Sequence, residues 1–165
     1  MENKNFLITG DLLASQSQRF GNYLIDLAVQ YIIAIVIGVG VVLVAQLSGF
    51  FDVAEWFKSM NKLQEYALGI VISIVYYGLM ETLFARSIGK YITKTVVVRE
   101  DGSKPDATTI LKRTLCRLIP FDALSFLGNG NGWHDSISDT YVVKKNELER
   151  AKEMFDAFDQ IGVVE

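Results

Sequence analysis

Residues Tyr23–Ala45 read YLIDLAVQYIIAIVIGVGVVLVA, an apolar run whose only charged residue is Asp26. A second run, Ala67–Phe84, reads ALGIVISIVYYGLMETLF, and its only charged residue is Glu81. As helices, at about 1.5 Å of rise per residue, the two reach roughly 35 and 27 Å. The hydrocarbon core of a bilayer is about 30 Å thick, so each run predicts a membrane-spanning helix. The fold class expected is an all-α membrane protein built on a two-helix transmembrane hairpin. The helices are placed at about 20–45 and 67–86.

The 165 residues leave room for one domain. Residues 1–145 read as a membrane domain, with a cytoplasmic and interfacial part over 87–145. Residues 146–165 read as an amphipathic C-terminal helix. Half the residues are apolar and the net charge is −3, a balance that gives no reason to expect a nucleic-acid partner. One cysteine (Cys116) offers no internal disulfide, and one histidine (His134) builds no His-rich metal site. The first run is longer than a signal-peptide core and lacks a small-residue cleavage pattern after it, so it reads as uncleaved. Lys and Arg number two in residues 1–22, two in 46–66 and twelve in 85–165. Cytoplasmic flanks collect positive charge, which puts the N-terminus and the tail inside and the connector outside. The connector carries Phe50, Phe51, Trp56, Phe57 and Tyr66, which suits an aromatic belt in the headgroup layer; a ligand lid is the alternative.

In the tail, Thr95–Val98 and Thr140–Val143 are short and rich in β-branched residues, which predicts a pair of strands. Glu100-Asp101-Gly102-Ser103 reads as a turn. Asp106–Arg117 reads as a helix with Asp106 as its N-cap. Its apolar stripe lies beside Lys112, Arg113 and Arg117, the pattern of an interfacial helix whose cations contact anionic lipid. Pro120 interrupts it. The apolar piece Phe121–Leu127 is too short to span, and either dips into the membrane as a short third segment or packs on the hairpin. Gly128-Asn129-Gly130-Asn131-Gly132 reads as a flexible turn rather than a nucleotide loop, and Ser87-Ile88-Gly89-Lys90 lacks the spacing of a phosphate loop. In Asn146–Val164, Leu148, Ala151, Met154, Phe155, Phe158 and Ile161 recur at helical spacing. That stripe packs either on the chain's own tail or on a partner.

Few polar residues are placed to carry chemistry. Arg19 and Asp26 share a helix face two turns apart. Asp26 lies about one turn inside the first run and Glu81 near the cytoplasmic end of the second. An antiparallel hairpin gathers Arg19, Asp26, Glu81 and Arg86 in one layer at the inner face. Two readings follow. One is a satisfied ion-pair network that fixes packing; the other is a titrating pair, Asp26 and Glu81, that couples ion movement. His134-Asp135 has no nucleophile or oxyanion donors beside it, so Asp135 reads as a turn cap or a partner of Arg113 or Arg117. The chain is expected to be no enzyme, with no catalytic residues, metal or cofactor.

Arg19 in QRFGNYLID, Asp26 inside the first helix, and Asp135 in GWHDSISDTYVV are spaced as in the RDD family of small bacterial membrane proteins. The central SIGKYITKTVVVREDGSKPDATTILKRTLCRLIP resembles that family's pattern as well, so the likeness covers about residues 17–145. It implies a multi-pass protein of the bacterial inner membrane. Many members have a clear third membrane helix, where this chain has a short segment broken by Pro120. Cation/proton exchange is attributed to some members. The expectation set by residues and resemblance together is a non-enzymatic scaffold or accessory subunit, in a homo-oligomer or a membrane complex. The alternative is an oligomeric cation/proton antiporter or small-solute transporter using Asp26 and Glu81.

Overall fold

The fold is seen in a computed structural model that describes residues 6–119, 121–122, 125 and 132–162. Helix α1 spans Gln16–Ser48, 33 residues, or about 50 Å. It starts earlier than the apolar run because Ser15 and Gln18 form a capping box that satisfies its first amides. It stops at Gly49, which takes the left-handed conformation at φ 77°. A short helix, α2 (Asp52–Lys58), follows in the aromatic connector. Helix α3 spans Lys62–Phe84 and begins at a second capping box, Asn61 with Gln64. Tyr76 and residues 87–89 meet Asp26 near the start of α1, so α1 and α3 run antiparallel.

After α3 come α4 (Ile88–Ile92), strand β1 (Thr95–Arg99), α5 (Ala107–Cys116), α6 (Trp133–Ile137), strand β2 (Thr140–Lys144) and α7 (Lys145–Gly162). Asp106 caps α5 by accepting from the Thr109 amide at 3.1 Å, as its sequence predicts. The two strands pair antiparallel, with Val97 opposite Val142. A two-stranded ribbon is marginal alone, and three neighbours support this one. The N-terminal segment, which the sequence left unassigned, runs along it: the Ala14 amide donates to the Val142 carbonyl at 2.8 Å, and Ile8 to Glu100 at 2.8 Å. Leu12, Val98, Val143 and Leu148 form a small core that includes α7. Phe6 meets Phe155 edge-on, and Lys152 of α7 donates to the Gly102 carbonyl at 2.6 Å. One face of α7 therefore packs on the chain itself, while Met154 and Phe158 remain exposed.

The most apolar stretch of α1 has none of its residues buried, and that of α3 has 22%. A water-soluble protein does not leave so large an apolar surface bare. Together with their length, this marks the two helices as candidate membrane spans. Most of Phe121–Leu127 and of the Gly128–Gly132 turn lies outside the described residues.

Candidate functional site

At the end of the hairpin where the tail docks, charged side chains are buried together. Asp26 is 1% exposed and holds three elements. Its Oδ1 accepts from the Tyr76 hydroxyl of α3 at 2.7 Å and from the Gly89 amide of α4 at 2.8 Å. Its Oδ2 accepts from the Ser87 hydroxyl at 2.5 Å. The approach of α4 to α1 requires a glycine: a Cβ on Gly89 would stand 2.5 Å from the Asn22 carbonyl oxygen.

Glu81 is fully buried and meets three cations. Lys90 Nζ lies 2.9 Å and Arg117 Nη2 3.0 Å from its Oε1, and Arg113 Nε lies 3.0 Å from its Oε2. Arg117 also stacks over the Tyr77 ring at 4.0 Å. Arg113, itself without exposure, reaches from Glu81 to Asp135, and Arg19 pairs with Asp135 from α1. Burial alone would raise the pKa of Asp135; Arg113, His134 and Arg19 instead hold its carboxyl well below the usual range. Asp122 extends the network: it accepts from the His134 amide at 2.9 Å and lies 2.6 Å from His134 Nδ1. Burial, and then the positive charge of Arg117, push His134 down to about 4. The ring is therefore neutral near pH 7, with Nδ1–H placed to donate to Asp122.

The layer thus sets four cations (Arg19, Lys90, Arg113, Arg117) against four carboxylates (Asp26, Glu81, Asp122, Asp135). Each buried charge costs several kcal/mol to desolvate, an expense that only close pairing offsets. A chamber of about 190 Å³ opens beside the layer between α1 and α3, bordered by Asp26, Gln30, Ser73 and Tyr77. Among the described residues, no group of three His, Cys, Asp or Glu side chains is arranged to hold a metal ion.

The predicted residues Arg19, Asp26, Glu81 and Asp135 do converge, and Asp135 pairs with Arg113, one of its two expected partners. Arg19 meets Asp135 rather than Asp26. Arg86 leaves the layer and lies over the Tyr91 ring at 5.3 Å. The trio expected to face lipid as a surface patch is corrected in its placement. Arg113 is fully buried on Glu81 and Asp135, and Arg117 is held by Glu81 and Tyr77, because two internal carboxylates need them. Lys112 alone of the three stays on the surface. Lys90, Ser87 and Asp122 were missed as site residues. For Lys90 a signal existed: a lysine nine residues after Glu81, across a helix end.

A family model described as the RDD family matches residues 13–143. No curated protein and no solved structure matches the chain. The matched segment holds the whole buried layer, including an arginine and two aspartates that anchor it at Arg19, Asp26 and Asp135, and the chain belongs to the RDD family.

Proposed function

We propose that this chain is a non-enzymatic scaffold or accessory subunit of a bacterial inner membrane. Its hairpin spans the bilayer, and both termini lie on the cytoplasmic side. The excess of Lys and Arg in the tail supports that orientation. One observation carries the functional reading: the carboxylates of the two long helices are committed to partners within the chain. The Asp26 oxygens accept three hydrogen bonds and Glu81 faces three cations, so both carboxylates are engaged in holding elements of the chain together. The layer works as a clamp that fixes the tail on the hairpin. The unburied apolar surface of α1 and the bare Met154–Phe158 edge of α7 then serve assembly, with a second copy or with a larger membrane complex.

The second reading, an oligomeric cation/proton antiporter or small-solute transporter, is favoured by the chamber beside Asp26. Reconstituted vesicles separate the two. A scaffold gives no cation-driven proton movement at any pH, and Asp26→Asn disturbs assembly in mild detergent. Flux that Asp26→Asn abolishes without loss of assembly would overturn the scaffold reading.

A further inference from the structure

The chamber continues into a second depression of about 480 Å³ that follows the hairpin away from the charged layer. Leu27, Gln30, Ser73, Arg117 and Asp122 border both. The two parts differ in chemistry. The groove passes Tyr31, Ala34, Gly69, Ile70 and Phe121 and ends at Glu65 and Tyr66, at the other end of α3. From Ser73 to Glu65 it follows about 12 Å of helix. The chamber is bordered by the four cations of the layer and by only two of its carboxylates, Asp26 and Asp122. Those carboxylates already accept from Tyr76, Ser87, Gly89 and His134. The cations are not all satisfied. Arg113 Nη2 and Arg117 Nε are buried with no acceptor among the described residues, while the carboxylate oxygens that also lack a hydrogen bond, Glu81 Oε2 and Asp135 Oδ1, belong to residues that do not line the chamber. The chamber is therefore short of acceptors, and guanidinium donors favour phosphate oxygens.

We propose that this depression holds one anionic phospholipid, with its phosphate in the chamber and an acyl chain along the groove between α1 and α3. The site depends on the two helices lying in lipid; it requires neither the scaffold nor the transport role. An arginine that serves Glu81 from one nitrogen and a lipid phosphate from another joins the bilayer to the clamp. This differs from a surface patch: the cations are buried, and the recognised group enters from the membrane side.

The full-length protein in mild detergent, titrated with phosphatidylglycerol or phosphatidylcholine and read by native mass spectrometry, tests the proposal. One phosphatidylglycerol per chain is expected, bound about tenfold more tightly than phosphatidylcholine, because only the former offers an uncompensated phosphate. Millimolar inorganic phosphate should leave the adduct in place. Gly69 has open space where a side chain would project, so Gly69→Trp fills the groove without touching the charges. It should weaken the adduct about tenfold at an unchanged thermal transition. Ala34→Phe, on the facing helix, repeats the test should the first variant misfold. Equal retention of the two lipids would overturn the proposal, as would adducts indifferent to both groove variants. Displacement by inorganic phosphate would overturn it too, and would assign the chamber to a free anion.

Discussion

Replacing Glu81 with glutamine keeps the shape of the side chain and removes its charge. Lys90, Arg113 and Arg117 are then left around a neutral group. Removing one partner from a buried ion pair costs about 3–5 kcal/mol. Two features pull the expectation to the lower end. Arg113 retains Asp135, and Lys90 retains the Ser87 hydroxyl at 3.4 Å. The loss expected is about 3 kcal/mol, and at roughly 2–4 °C per kcal/mol for a chain of this size the transition falls by about 10 °C. Denaturant titration in detergent micelles, followed by circular dichroism, measures it. The informative control is the double variant Glu81→Gln/Lys90→Met. Taking away a lysine that has lost its carboxylate should restore at least about 1 kcal/mol relative to Glu81→Gln alone, which makes the coupling between the two sites direct. A single variant within about 1 kcal/mol of the parent, or a double variant as weak as the sum of the singles, would refute the clamp.

Gly89→Ala should cost about 1–3 kcal/mol, because the new Cβ meets the Asn22 backbone carbonyl at 2.5 Å and an Asp26 carboxylate oxygen at 3.0 Å. Gly78→Ala, where the same Cβ meets open space, should be neutral or slightly stabilising, and the contrast between the two melts is the check. Stability should also fall on mild acidification. His134 is held down to about 4 in the fold against an ordinary 6.5, so between those values the unfolded chain binds a proton that the native chain refuses. That limb amounts to roughly 3 kcal/mol, and titration of His134→Gln across it should give a flatter curve. The ionised Asp135 adds a further loss only below the usual carboxylate range, around pH 4 and lower, because its folded pKa is depressed. Asp135→Asn should steepen nothing above pH 5 and should weaken the tie between α1 and α6 that Arg19 makes, visible as faster proteolysis ahead of α1.

The parts of this fold visible in the sequence are those governed by local patterns. Two apolar runs marked α1 and α3, valine-rich segments marked β1 and β2, and Asp106 marked the start of α5. Charge-balance reasoning went further and gathered Arg19, Asp26 and Glu81 at one end of the hairpin. It named Arg113 as one of two partners for Asp135, as the fold has it, but could not assign those of Asp26 and Glu81, which depend on tertiary approach. The Gly89 contact that brings α4 against Asn22 carries Ser87 and Lys90 into the layer, and nothing local announces it. Arg113 misled for a related reason. On a helical wheel, a cation beside an apolar stripe looks interfacial; in the fold, two carboxylates from elsewhere in the chain turn that edge of α5 inward. The N-terminal segment was overlooked because backbone hydrogen bonds, Ile8 to Glu100 and Ala14 to Val142, help to seat it, and its packed apolar residues, Phe6 and Leu12 among them, form no helical or alternating period.

Charges joining a hairpin to its cap achieve something that an apolar contact does not. Apolar surfaces slide at small cost, because one methyl replaces another. In this layer the cations on α1, α4 and α5 meet carboxylates that α3 and α6 supply. A shift of one element by a single residue would strand at least one buried charge, at a cost of several kcal/mol. The hairpin and the tail are therefore held to one relative position. β2 follows α6 directly and leads without a break into α7. A partner bound on the free edge of α7 is thus mechanically continuous with Asp135, with Arg19, and through them with the first helix.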